Sequence, residues 1–158
     1  MPDSKTVAID RKVPEFACAS TAGELRLSQL RGQIVVLYFY PKDNTPGCTT
    51  ESQEFAAASG RFAKAGATIL GASRDSLASH EKFRAKFELP FTLLSDPEEA
   101  LCALFGVMKQ KNMYGKMVRG IERSTFLIDA QGVLRQEWRG VKIPGHVEAV
   151  LAAVKALA

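Results

Sequence analysis

Apolar runs and polar turns lay out the elements of this chain before any chemistry is considered. Ile34 to Phe39 (IVVLYF) is an unbroken β-branched and aromatic run. Such a run predicts a central strand buried on both faces. Thr68 to Ala72 and Ile121 to Ile128 predict further strands, and Phe91 to Leu94 a short one. Asp129-Ala130-Gln131-Gly132 reads as a hairpin turn into a partner strand over Val133 to Trp138. Ahead of these, Val13 to Gly32 alternates loosely around Ala22-Gly23-Glu24. That predicts an N-terminal hairpin with Phe16 and Cys18 on one arm and Leu25 and Leu27 on the other, followed by a helical turn over Ser28 to Arg31.

Between the strands the period lengthens to that of helices. Thr45 followed by Pro46 is a helix-start signal. Phe55 and Phe62 then share a face with Cys48, and Gly66 stops the helix. Ser76 to Phe87 predicts a second helix, with Ser79 as the cap of its main portion. Ser95-Asp96-Pro97 starts a third, with Glu98 and Glu99 in its first turn and Leu101, Leu104 and Phe105 on its apolar side. Val147, Val150, Leu151, Val154 and Leu157 mark a C-terminal amphipathic helix. Val107 to Gly120 carries no such period and reads as a long, basic, Met-containing connection. Strands and helices alternate, then a hairpin and a last helix follow. This order predicts one α/β domain over residues 1–158, a central mixed β-sheet flanked by helices, with an N-terminal hairpin extension.

Composition narrows the classes. The 158 residues are 46% hydrophobic and 24% charged, enough for a real core. No apolar run reaches the roughly 18 residues of a membrane span. The opening MPDSKTVAIDR has acidic residues and no apolar centre, unlike a signal peptide, so a cytoplasmic protein without membrane partners is expected. The net charge of +4 is scattered, and no block of like charge points to nucleic acid. The densest patch, Lys109, Lys111, Lys116 and Arg119, reads as a solvated surface, or more sharply as one that steers an acidic redox partner. Cys18, Cys48 and Cys102 are odd in number and widely spaced, which does not suit a disulfide framework. There is no C-x-x-C pair. His80 and His146 lie far apart, with no neighbouring cysteine, and read as surface polar residues. Neither a metal nor a cofactor is expected.

The candidate chemistry lies in LYFYPKDNTPGCTTESQEF, residues 37–55. With Thr45 as N-cap and Pro46 at N1, Cys48 falls at N3. The Thr45 hydroxyl is then expected close to the Cys48 backbone and its sulfur. The free N–H groups and positive end of the helix favour a thiolate there. Strand-to-helix turns of open α/β sheets commonly bind ligands.

The segment Pro41-Lys-Asp-Asn-Thr45-Pro-Gly-Cys48-Thr-Thr-Glu51 resembles the peroxiredoxin signature P-x-x-x-T-x-x-C. Its T-P-G-C-T-x-E form resembles the bacterioferritin comigratory protein (PrxQ) subfamily. VPEF, GVMKQKNMYGK and IERSTFLID extend the resemblance over nearly the whole chain. The resemblance implies a thioredoxin-like fold and a monomer. It implies that Cys48 attacks a hydroperoxide and becomes a sulfenic acid. Thr45 would hydrogen-bond the peroxide, Pro41 would shield the sulfenate, and Arg123 would stabilise charge as the O–O bond breaks. Glu51 matches the family too, although an acidic residue in the first helical turn is a sufficient account of it.

Restoring the sulfur is less defined. Many PrxQ proteins carry a resolving cysteine five residues after the first, or in the following helix; Gln53 and Arg84 occupy those positions here. Cys18 and Cys102 remain as candidates for an atypical two-cysteine cycle. Cys18 reads as a small strand residue and Cys102 as a buried apolar one. The expectation is therefore a one-cysteine thiol peroxidase for hydrogen peroxide and organic hydroperoxides, resolved by thioredoxin or by glutathione and glutaredoxin. The alternatives are a peroxide sensor without steady turnover and a cysteine hydrolase, which would need a histidine beside Cys48. Met108, Met113 and Met117 read either as packing under their loop or as an apolar rim for organic hydroperoxides.

Overall fold

The computed structural model describes residues 7–158. Strand β3 (Ile34–Phe39) runs through the middle of a seven-stranded sheet, and all six of its residues are buried. Its side chains alternate between two cores. Ile34, Val36 and Tyr38 enter the first, and Val35, Leu37 and Phe39 the second. That is why the run shows no polar position.

The other strands arrange themselves around it. In chain order they are β1 (Ala17–Ser20), β2 (Leu25–Arg26), β4 (Ala67–Ser73), β5 (Thr92–Ser95), β8 (Ser124–Ile128) and β9 (Leu134–Arg139). The sheet order is β2-β1-β5-β4-β3-β8-β9. Strands β3, β4 and β5 are parallel, whereas β8 and β9 continue antiparallel from β3. The N-terminal hairpin exists as expected, but it is built into the sheet. Ala19 and Ser20 pair with Ser95 and Leu94 of β5.

Helices α1 (Pro46–Lys64), α2 (Leu77–Lys86) and α4 (His146–Leu157) supply the first core through Phe55, Phe62, Phe83, Val150, Leu151 and Val154. Helix α3 (Ala100–Phe105) supplies the second through Leu101 and Phe105. This is the thioredoxin-like arrangement, a mixed sheet with helices on both faces.

Several local expectations give way to tertiary structure. Residues 107–120 form a hairpin rather than a loose connection, with β6 (Met108–Met113) paired to β7 (Lys116–Ile121). Tyr114 and Gly115 both have positive φ, 55° and 80°, as a two-residue hairpin turn requires. Lys116 to Arg119 are exposed, so no buried face imposed a readable apolar period. Met108 packs against the second core, whereas Met117 is exposed. The predicted strand over Ile121 to Ile128 breaks at Glu122-Arg123, between β7 and β8. Helix α3 starts later than expected, because the Asp96 carboxylate accepts from the N–H groups of Leu101 and Cys102 at 3.1 and 2.7 Å. Glu98 and Glu99 stand ahead of it. Ser76, not Ser79, caps α2, accepting from the Ser79 N–H at 3.1 Å.

Candidate active site

The strand β3 ends at Phe39, and residues 40–45 turn the chain into α1. Thr45 is extended (φ −92°, ψ 155°), and Pro46 opens the helix. Cys48 therefore stands at N3, as the sequence requires. It is only 1% exposed and packs with Tyr38 and Phe55 in the first core.

The Thr45 hydroxyl does not do what a cap predicts. It donates to the Lys42 carbonyl at 2.9 Å and makes no capping bond to the helix. The side chain thus braces the turn from within, and the N–H groups of the first helical turn are left without a side-chain acceptor. Pro41 and Thr45 are half-buried at the same turn.

The strand break at residues 122–123 delivers a cation to this helix end. Arg123 Nη2 donates to Cys48 Sγ at 3.4 Å, and Nη1 donates to Glu51 Oε1 at 2.7 Å. Its backbone carbonyl accepts from the Val141 N–H at 3.0 Å, which fixes the segment. Gly47 makes the approach feasible. A Cβ there would lie 3.3 Å from Arg123 Nη2 and 3.4 Å from Ile143 Cδ1.

Glu51 corrects the simplest account of itself. It lies beyond the first helical turn and is wholly buried, so it is a partner of Arg123 rather than a surface dipole residue. Burial pushes its carboxyl up to about 7, against the opposing pull of Arg123. Oε2 has no hydrogen-bond partner.

Both histidines are buried, contrary to the surface reading. His146 Nε2 lies 2.8 Å from Thr125 Oγ1, and burial, then the Arg123 charge, pushes its imidazole down to about 4. It stands four residues before Val150, on the apolar face of α4, and that spacing was the available signal. His80 precedes Phe83 by three residues and shares its buried face. Its Nδ1 lies 2.8 Å from Asp43 Oδ2, and its Nε2 lies 2.8 Å from the Leu94 carbonyl. Asp43 also accepts from the Tyr40 hydroxyl at 2.6 Å and from the Ser79 hydroxyl at 2.8 Å. Its backbone N–H donates to Asp75 Oδ2 at 2.9 Å. Sequence reasoning missed this network, which ties the turn before Cys48 to α2 and β4. Neither histidine is hydrogen-bonded to Cys48, so the general base of a cysteine hydrolase is not in place.

Asp43, Asp75 and His80 also form a compact group of metal-ligand types. Their polar atoms are already engaged with one another and with Tyr40, Ser79, Ser73 and Leu94, which is sufficient to explain the cluster.

Cys18 and Cys102 are not brought to Cys48. Both belong to the second core, across the sheet. Burial pushes the Cys18 thiol up to about 11, and raises that of Cys102 as well. Gln53 is exposed on α1, and Arg84 Nε donates to the Phe91 carbonyl at 3.0 Å.

A cysteine at a helix N-terminus, beside a half-buried arginine on a thioredoxin-like sheet, defines a thiol-based oxidoreductase site. The chain belongs to the AhpC/TSA family, which matches residues 9–137, and within it to the peroxiredoxins of the Bcp, or PrxQ, type. Peroxiredoxin Bcp of Xanthomonas campestris is 60% identical over 125 residues, 79% of this chain and 78% of the relative. Peroxiredoxin Bcp of Bacillus subtilis is 48% identical over 151 residues, covering 95% and 96%. Among solved structures, a Xylella fastidiosa PrxQ mutant superposes with a TM-score of 0.89 at 43% identity, covering 95% of this chain and 96% of that one.

Proposed function

We propose that this protein reduces hydrogen peroxide and organic hydroperoxides at Cys48 and is restored by an external thiol. The contact from Arg123 Nη2 to Cys48 Sγ, on a helix N-terminus, carries the reading. The Cys48 thiolate attacks the terminal peroxide oxygen. The S–O bond forms as the O–O bond breaks, and the leaving alkoxide or hydroxide takes up a proton. Sulfur is oxidised to a sulfenic acid and the peroxide is reduced to an alcohol or water. Arg123 and the first-turn N–H groups face the charge that develops. Thr45 has its hydroxyl hydrogen committed to Lys42, so its oxygen serves as an acceptor for the peroxide O–H. Pro41 covers the turn beside it.

An incoming thiol then displaces water from the sulfenic acid to give a mixed disulfide, and a second thiol releases Cys48. The remote placement of Cys18 and Cys102 supports this one-cysteine cycle. Thioredoxin, glutathione and glutaredoxin are the thiols of that kind in a reducing cytoplasm, where we place the protein. No helix among the described residues is long and apolar enough to cross a membrane. The solved X. campestris bacterioferritin comigratory protein, 54% identical, is described for alkyl peroxide reduction activity, which supports organic hydroperoxides as substrates.

Cys48→Ser is expected to abolish peroxide consumption in a steady-state assay with thiol reductant; retained turnover would refute the assignment. Arg123→Gln is expected to lower kcat/KM by about 10²–10³-fold, the usual effect of losing one oxyanion donor. A single stoichiometric oxidation without turnover would instead identify a peroxide sensor.

A further inference from the structure

Arg123 is one cation placed between two acids. Nη1 donates to Glu51 Oε1 at 2.7 Å, and Nη2 donates to Cys48 Sγ at 3.4 Å. Glu51 is 0% exposed, and its second oxygen is buried without a partner. A buried carboxylate with an unpartnered oxygen is costly, whereas a carboxylic acid with its proton on that oxygen is much less so. One guanidinium also cannot neutralise a full carboxylate and a full thiolate together.

We propose that Cys48 and Glu51 hold one proton between them, so that Cys48 is a thiolate in the state in which Glu51 is a neutral carboxylic acid. The proposal takes Cys48 as the reacting sulfur, as in the function proposed above, but does not depend on what it reacts with. In the exchange the Cys48 S–H bond breaks and an O–H bond forms at Glu51 Oε2. No proton leaves for solvent, and the Arg123 charge passes from pairing the carboxylate to pairing the sulfur. When a peroxide consumes the thiolate, the sulfur becomes a neutral sulfenic acid. Arg123 then re-pairs with Glu51, which gives up its proton. The leaving alkoxide takes up one proton, so the balance closes without a second acid. Glu51 is thus a positioning residue that also stores a proton.

The surroundings fit this partition. On α1, Glu54 adds its charge to burial in favouring the protonated carboxyl, which is held at about 7. On β3, burial keeps the Tyr38 hydroxyl un-ionised, and it is bonded to Ser52 at 2.8 Å. On α4, His146 is held neutral down to about 4 by burial and by Arg123. Cys48 and Glu51 remain as the two acids that Arg123 contacts directly, through Nη2 and Nη1.

Infrared difference spectroscopy on the full, reduced chain near neutral pH tests this. The carbonyl stretch of a protonated carboxylic acid is expected in the wild type, identified by its loss in Glu51→Gln. It should vanish in Cys48→Ser and after one equivalent of peroxide, because the carboxylate then has Arg123 to itself. In Glu51→Gln, the ultraviolet thiolate absorbance should titrate in a single step, with its midpoint lowered by about one pH unit, a tenfold change in ionisation constant. Absence of the acid band in the wild type, an unchanged band in Cys48→Ser, or an unmoved thiolate titration overturns the proposal. If Glu51→Gln does not fold, the comparison of wild type with Cys48→Ser decides alone. Peroxide turnover is measured separately. The spectroscopic signature without turnover sinks the peroxidase reading only, and turnover without the signature sinks proton sharing only.

Discussion

Cys48 and Cys102 lie on opposite faces of the central sheet, with β3 between them. Cys18 shares the far side with Cys102. A disulfide needs Cα atoms within about 7 Å, a condition that the placement of Cys48 in one core and of Cys18 and Cys102 in the other opposes. We expect Cys18→Ser and Cys102→Ser each to slow steady turnover by less than about tenfold, under ~1.4 kcal/mol of barrier. Mass spectrometry after one equivalent of peroxide should show sulfenic acid or a reductant adduct on Cys48. A tenfold loss, or an intramolecular disulfide to Cys48, would replace the one-cysteine cycle.

Gly47 sits where any side chain must meet Arg123. Its added Cβ would lie 3.3 Å from Nη2, with Ile143 Cδ1 at 3.4 Å on the other side. Gly47→Ala should therefore displace the guanidinium by a few tenths of an ångström while the helix persists. Peroxide kcat/KM is expected to fall by about ten- to a hundred-fold, as small misplacements of a charge-stabilising group do. Unchanged kinetics in a folded variant would show that the 3.4 Å contact to Cys48 is not required.

Asp43 accepts from Tyr40 and Ser79, faces His80, and its backbone N–H is held by Asp75. Removing the carboxylate leaves several buried polar groups without a partner. Asp43→Ala should lower the unfolding free energy in urea by about 3 kcal/mol. Amide exchange should quicken over residues 41–48, since the turn loses its anchor to α2. A loss below about 0.5 kcal/mol, the range of ordinary surface substitutions, would mark the network as ornamental.

The pH dependence of stability combines two buried groups of opposite sign. The Glu51 carboxyl is raised from 4.5 to about 7, so the folded chain binds more protons than the unfolded one in that window. Its contribution is full at low pH and is lost as pH rises towards about 7. His146 is lowered from 6.5 to about 4, so the unfolded chain binds more protons between those values. Its contribution is full above 6.5 and is lost as pH falls towards about 4. The two slopes largely cancel between pH 4.5 and 6.5. In urea titrations, Glu51→Gln should unmask a stability that rises with pH there, and His146→Gln one that falls. Parallel curves for all three proteins would contradict both assignments.

The sequence by itself determined most of the sheet and helices and the helix start that bears the sulfur. IVVLYF specified a doubly buried central strand, because every second residue enters a different core. Thr45-Pro46-Gly47 placed Cys48 at N3, because proline and the preceding extended residue leave few other backbone paths. The family motif identified Arg123 as the cation, which spacing alone could not do across 75 residues. The histidine spacings were legible too, although each residue by itself reads as a surface polar group, and both are buried. Only the tertiary structure decided the rest. It turned the Thr45 hydroxyl to Lys42, broke a predicted strand to aim Arg123, and folded residues 108–121 into an exposed ribbon with no apolar period to read. It also buried Glu51 behind that arginine and put the other two cysteines across the sheet. Local pattern encodes which backbone each segment adopts. The partners of a buried charge, and the face on which a thiol ends, depend on which distant segments pack together.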